Sequence, residues 1–286
     1  MDPAILYALL SALAYGASDF LSQIAGKYVG AWRATLYYYA IGVVALSVCI
    51  GLQPGYLQQV VAIPRSGWLI SAGSGVLLLT AVLLFTQGLI KGSIAVVVPV
   101  MASYGAVTTL LASLSGEQFT QRTALGIALT IAGAAGSAVP PAGIRFVAQT
   151  SGLPWACGAA LAYGTGFWLQ GSAVPIMGPL LPIWTVYVTG LVVMVVLHMA
   201  RLIDLSPPRS YSLMIPALAA AVLGVVAFMA LNAGLSSGRV AVVVVLSSLS
   251  TAVTVVLARL LNHARMAWHQ WLAIALVLIG LSLVKS

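Results

Sequence analysis

The chain has 286 residues, of which 62% are hydrophobic and 6% charged, and it carries a formal net charge of +8. A soluble domain carries roughly 25% charged residues, so this composition excludes a surface that faces water on all sides. The basic residues are scattered one or two per connection, which excludes a nucleic-acid face and leaves them to set orientation and meet lipid headgroups.

Backbone in hydrocarbon must satisfy its own hydrogen bonds, so the apolar stretches read as helices or as a closed barrel. Barrel strands alternate apolar and polar residues. Runs such as LLLTAVLLFTQGLI at 77–90 do not alternate. About 20 apolar residues cross the bilayer as a helix, and ten such spans follow: 3–26, 33–52, 68–87, 93–113, 122–139, 153–173, 179–200, 213–233, 239–260 and 267–285. The fold class expected is an all-α integral membrane protein. Turn residues separate the spans, among them QPG at 53–55, PPAG at 140–143 and SPPRS at 206–210. The first span has no basic leader and begins at Asp2, so it reads as a retained helix and not as a cleaved signal.

Span one sets Ser11, Tyr15, Asp19, Ser22 and Gln23 at steps of three and four, hence on one face. Asp19 is the only acidic residue deep in a span; Asp2, Glu117 and Asp204 fall at ends or in connections. An acid at that depth is a candidate partner for a substrate ammonium or a coupled proton. Its alternatives are hydration near an interface or pairing with Lys27. Gln87 closes span three and Asn232 closes span eight, and both are candidate capping or gating residues. Span four holds Pro99, Ser103, Tyr104 and Thr108. Pro99 removes a backbone donor and should kink the helix, and broken helices near the midplane are where transporters build sites.

Span five carries Ala128, Ala132 and Gly136 four residues apart, a small-residue seam for span ten or a second protomer. Span six carries Tyr163, Phe167 and Gln170 on one face, with Trp168 beside them. Rings facing a hydrated cavity can stack on a substrate or attract an ammonium, whereas rings near a helix end form the interfacial belt. Tyr163 lies mid-span and favours the cavity; Trp168 suits either place. Span nine has Ser247, Ser248, Ser250, Thr251 and Thr254, a pattern that favours helix packing. Ser103 and Ser247 are kept as candidate substrate contacts. Cys49 and Cys157 lie alone within spans and offer neither a disulfide framework nor metal spacing. Gly234-Leu235-Ser236-Ser237-Gly238 matches the hydrolase elbow G-x-S-x-G, but helices flank it where a strand should precede it. It reads as a turn.

The chain repeats itself. ALAYG occurs at 12–16 and at 160–164, GLIKGSIAVVVPV at 88–100 matches GLSSGRVAVVVVL at 234–246, and ALTIAGAAGS at 128–137 matches ALVLIGLSLV at 275–284. Near-constant spacing in the same order means a duplicated unit of five spans: residues 1–139, a connection at 140–152, and residues 153–286. Five crossings end on the opposite side, so the second copy is inverted, the arrangement that secondary transporters use around a shared central cavity.

These residues resemble the drug/metabolite transporter superfamily in its ten-helix EamA branch, over the whole chain. Tyr15-Gly16 matches the aromatic–glycine pair of the family's first helix, and Ser115-Gly116-Glu117 resembles its Leu-Gly-Glu junction. The corresponding junction of the second half, Leu261-Asn262-His263, has no glutamate. The texture is similar to that of the aromatic amino-acid exporters of this branch. The resemblance implies a basket of helices around a cavity, spans five and ten at the periphery, and both termini in the cytoplasm of a bacterium. Basic residues pull the other way. Arg65, Arg122, Arg239 and Lys285 lie on the N-terminal side, whereas Lys27, Arg33, Lys91, Arg145, Arg201, Arg209, Arg259 and Arg265 lie opposite, which places the termini outside. Both orientations stay open.

The function expected is secondary export of amino acids or related metabolites across the bacterial inner membrane by alternating access. The same fold exporting drugs or hydrophobic cations is the alternative. An intramembrane enzyme needs paired acids or metal ligands that the sequence does not supply. No phosphate loop, cofactor or metal is expected. Partners are the lipid bilayer, a small-molecule substrate and a proton as candidate coupling ion. Nucleic acid is excluded, and the protein is expected to be a monomer or a weak homodimer. Substrate contact is assigned to Tyr15, Asp19, Tyr104, Tyr163, Phe167, Trp168, Ser103 and Ser247, and gating to Pro99, Gln87 and Asn232.

Overall fold

The computed structural model describes residues 2–91, 97, 100–137, 152–205, 214–262 and 268–285. Among the described residues the chain is helical, without strands. The helices are α1 (Pro3–Val29), α2 (Ala31–Gly51), α3 (Tyr56–Ala62), α4 (Arg65–Lys91), α5 (Tyr104–Leu114), α6 (Gln121–Ser137), α7 (Leu153–Met177), α8 (Leu181–Met199), α9 (Met214–Leu235), α10 (Val240–Ser247), α11 (Ser250–Asn262) and α12 (Trp268–Lys285). They occupy the ten expected spans. α3 is an unforeseen short helix in the connection between spans two and three, and α10 and α11 together form span nine.

Five of these helices, α1, α2, α4, α8 and α9, are individually long and apolar enough to cross a membrane. The 27 residues of α1 reach about 40 Å at 1.5 Å per residue, more than a hydrocarbon core of about 30 Å. Asp2 and Pro3 explain where α1 starts. The Asp2 carboxylate accepts the Ala4 N–H at 2.9 Å, and proline at the first helical position needs no donor.

Span nine is broken where the sequence contains no proline. The Leu249 N–H donates to Leu246 O at 3.2 Å, a three-residue step that tightens the helix. The Ser248 hydroxyl donates to Val245 O at 2.6 Å. Span four shows the same device at the equivalent place. The Ser103 N–H donates to Val100 O at 3.2 Å, and its hydroxyl donates to the same carbonyl at 2.6 Å. A serine that bonds back one turn competes with the helix ladder and bends it. Pro99, the residue expected to cause the kink, lies outside the described residues.

The helices pack in reciprocal pairs across the two halves. α1 lies on α9 as α7 lies on α4, α1 meets α10 and α11 as α7 meets α5, and α2 meets α9 as α4 meets α8. The repeated ALAYG motif marks one of these crossings. A Cβ on Gly16 would overlap the Val253 side chain and lie 2.9 Å from Ser250 O; a Cβ on Gly164 would overlap Val107 and lie 2.8 Å from Tyr104 O. Beside each glycine, a threonine of the other half donates to the glycine carbonyl, Thr254 to Gly16 at 3.1 Å and Thr108 to Gly164 at 2.8 Å. A second reciprocal crossing places the Tyr187 ring on Gly42 and the Tyr39 ring on Gly190. The fold is two inverted five-span repeats clasped through one another.

α6 and α12 pack together at the edge of the bundle. The expected seam of Ala128, Ala132 and Gly136 is corrected in part. Ala128 and Ala132 are exposed, because the contact runs along the neighbouring face: Gly280 sits against Gly126 and Thr130, and Gly136 against Ala273.

Candidate functional site

A cavity of about 530 Å³ lies between the halves, within the range of about 300–1,000 Å³ that holds small-molecule ligands. Its inner wall is aromatic. Tyr104, Tyr163 and Phe167 form one group, with the Tyr163 and Phe167 rings stacked at 5.8 Å and Tyr104 5.4 Å from Phe167. Tyr38, Tyr39 and Tyr187 form another, with Tyr38 stacked on Tyr187 at 5.6 Å. Phe228 joins the groups, 6.2 Å from Phe167 and 6.1 Å from Tyr187, and Tyr15 lies 6.4 Å from it. Asp19 stands in the same wall, one helical turn beyond Tyr15, and among the described side chains is the only charged one lining the cavity. Among the described residues it has no ion-pair partner.

The cavity runs from this centre toward one end of the bundle. Past Asp19 it is lined by Ser22 of α1, Thr35 of α2, and Phe85 and Thr86 of α4. This is the end at which α1 and α4 finish, opposite the N-terminus, and we call it the distal end. The N-terminal end is shut. There Ile5 and Ala8 of α1, Leu231 and Leu235 of α9, and every residue of α10 after Val240 are buried. Gly171 of α7 permits the tight seal, since a Cβ on it would stand 2.5 Å from Val240.

Surface contacts reinforce that closure. Asp2 pairs with Arg239 at 2.7 Å, joining the start of α1 to the start of α10. Glu117, in the connection before α6, accepts the Ala241 N–H at 3.3 Å. A carboxylate at a helix N-terminus meets unpaired donors and the positive end of the helix dipole. Burial raises the Glu117 carboxyl above its ordinary value, and the backbone donors of Ala241 and Val240, with Arg239 nearby, offset part of that rise.

The structure gathers Tyr15, Asp19, Tyr104, Tyr163 and Phe167 around the cavity. Three other candidate contacts stand elsewhere. Trp168, half-buried against the core, does not line the cavity and donates its indole N–H to the Ser115 hydroxyl at 3.0 Å. Ser103 spends its hydroxyl on Val100 O. Ser247 is buried against Ser11, oxygen to oxygen 2.8 Å. Ser250, one turn along, lines the cavity instead. The gating assignments also shift. Gln87 does not end its helix, because α4 continues to Lys91. Asn232 is fully buried and donates to Pro179 O at 3.0 Å, tying α9 to the turn between α7 and α8. Sequence spacing along span one missed Tyr38, Tyr39, Tyr187 and Phe228, which come from spans whose hydrophobicity hides any face.

The elbow-like pentapeptide is the turn between α9 and α10, with Gly238 at φ 76 and the Ser237 hydroxyl donating to Gly234 O at 2.8 Å. Among the described residues no three His, Cys, Asp or Glu side chains come together as a metal site.

An inverted helical duplication that encloses a hollow open at one end defines a membrane transporter of the two-repeat type. The EamA-like transporter family model matches residues 2–139 and again residues 150–286, and the chain belongs to that family. Among solved structures, one described as "Crystal structure of protein" superposes with a TM-score of 0.76 over 98% of this chain and 95% of its own, at 18% identity. That likeness shows the fold. A search of curated proteins finds no match.

Proposed function

We propose that this protein is a secondary transporter that exports amino acids or related amine-bearing metabolites across a bacterial cytoplasmic membrane by alternating access. The observation that carries the reading is Asp19, the one acid among the described side chains that line a hollow rich in aromatic rings. A carboxylate pairs with an ammonium group, and aromatic faces hold both the cation and an apolar or aromatic body through cation–π and stacking contacts. Tyr15, Tyr104, Tyr163 and Phe167 would hold the body and Asp19 the amine or an exchanged proton.

A second reading, export of hydrophobic cations, is favoured by one feature: among the described side chains no lysine, arginine or histidine lines the cavity to receive a substrate carboxylate. Counterflow in liposomes separates the two. Labelled phenylalanine, phenethylamine and tetraphenylphosphonium are tested with the native chain and with Asp19→Asn. Phenylalanine exchange that falls at least tenfold in Asp19→Asn supports the first reading. Exchange of the amine or the phosphonium without phenylalanine favours the second. No exchange of any of the three by folded protein sinks both.

A further inference from the structure

We infer that Gln170, Asn232 and Ser247 form the wall of a second vestibule, which opens at the N-terminal end when the two halves exchange conformations. The inference rests on the alternating-access reading and adds which residues the hidden state exposes. The repeat supplies the correspondence. Positions of the first two spans recur 148 residues later, as in Tyr15-Gly16 and Tyr163-Gly164; positions of the third and fourth spans recur 146 later, as in Gly88 and Gly234. On that register Ser22 corresponds to Gln170, Thr86 to Asn232 and Met101 to Ser247. Ser22 and Thr86 line the cavity and are partly exposed, and Met101 lines it while itself buried. The second member of each pair is at most 2% exposed. At Ser22 and Gln170, and at Thr86 and Asn232, two copies of one unit thus hold equivalent positions in opposite environments, one open to the cavity and one packed. If the halves trade places, so do the environments.

The buried members carry the chemistry of a wetted wall. Among the described residues Gln170 Nε2 and Asn232 Oδ1 have no hydrogen-bond partner, although both side chains are fully buried. An amide group left unpaired in apolar packing is unfavourable, and leucine would fill either place without that cost. Hydration in the exchanged state satisfies both atoms. These three side chains, Gln170, Asn232 and Ser247, are also uncharged. Asp19 corresponds to Phe167, so the second vestibule offers an amine-bearing solute amides and a hydroxyl, with the one carboxylate remaining at the centre.

The test uses the full chain with Cys49→Ser and Cys157→Ser, carrying single cysteines at Ser22, Thr86, Gln170, Asn232 or Ser247, in liposomes of known orientation. A membrane-impermeant maleimide is added from either side, and phenylalanine, phenethylamine and tetraphenylphosphonium exchange is measured on the same preparations. Ser247→Cys is nearly isosteric and guards against misfolding at the amide positions. Expected are reaction of Ser22→Cys and Thr86→Cys from the distal side, and of Gln170→Cys, Asn232→Cys and Ser247→Cys from the N-terminal side only. Adding Gly171→Ala, which crowds Val240, should raise N-terminal labelling several-fold and lower labelling of Ser22→Cys. Exchange of any of the three solutes while all three N-terminal positions stay unlabelled would overturn the inference and leave alternating access standing. N-terminal labelling without exchange of any of the three would support the inference and defeat the proposed substrate class.

Discussion

Adding one methyl group to the glycine of either copy of ALAYG should destabilise the protein, and adding one at an open glycine such as Gly73 should not. At Gly16 the new carbon overlaps Val253 and stands 2.9 Å from Ser250 O; at Gly164 it overlaps Val107 and stands 2.8 Å from Tyr104 O. Neither carbonyl can swing aside, because each belongs to the start of a helix. Overpacking of this kind costs about 1–3 kcal/mol. Alanine gains helix propensity over glycine, up to about 1 kcal/mol, so the net loss should lie near 1–2 kcal/mol for Gly16→Ala and for Gly164→Ala. Gly73 of α4 is the internal control. A Cβ there meets only Leu169, at 3.8 Å, so Gly73→Ala should be neutral or stabilising by some tenths of a kcal/mol. The assay is the fraction of monodisperse protein in detergent after heating. If Gly16→Ala and Gly164→Ala survive heating as well as Gly73→Ala, the reciprocal close contact of the halves is wrong.

The threonines at the same crossings should behave as equals. Thr108→Val and Thr254→Val each keep the shape and lose one interhelical hydrogen bond, worth about 0.6 kcal/mol on average and up to about 1.7 in membranes. A difference between them beyond about 1 kcal/mol in the same heating assay would break the symmetry of the clasp. Glu117 should make stability depend on pH. Its carboxyl is raised in the folded chain, so between its ordinary value near 4.5 and the raised one the folded protein binds more protons than the unfolded. Stability therefore falls as pH rises across that window. Glu117→Gln should flatten the slope; a slope unchanged in that variant would remove Glu117 as its source.

The spans were legible in the sequence because hydrophobic length is a direct physical requirement of the bilayer, and the inversion followed from five crossings per repeat. The cavity was legible only in part. Asp19 and the tyrosines beside it stood out as polar or aromatic groups at depth, whereas Tyr38, Tyr39 and Tyr187 sit in helices so uniformly apolar that no period marks a face. Trp168 illustrates the opposite failure. It adjoins Phe167 in sequence, but one residue is a turn of about 100° on a helix, enough to carry its ring away from the cavity to Ser115. The break in span nine was hidden for another reason. The serines that make it by bonding back one turn are the same residues that, elsewhere, simply pack between helices.

A duplicated chain can be read by comparing its two copies with each other. Where equivalent positions hold the same residue, as at Gly16 and Gly164, Gly42 and Gly190, Tyr39 and Tyr187, or Thr108 and Thr254, the structure shows them at crossings between the halves. On the alternating-access reading proposed above, such contacts must fit in either arrangement, so both copies face one constraint and keep one answer. Where equivalent positions differ, as at Asp19 and Phe167, Ser22 and Gln170, Tyr38 and Val186, or Thr86 and Asn232, the first member lines the cavity. Tyr15 and Tyr163, identical in the two copies, line it as well, so identity is kept at the crossings and in part of the cavity wall, and divergence falls on the remaining lining positions. On the proposed function, an amine-bearing solute meets those positions from one side at a time, so nothing holds the two copies to the same chemistry there. A single carboxylate then suffices, because a second acid at Phe167 would hold the same cation twice and slow its release.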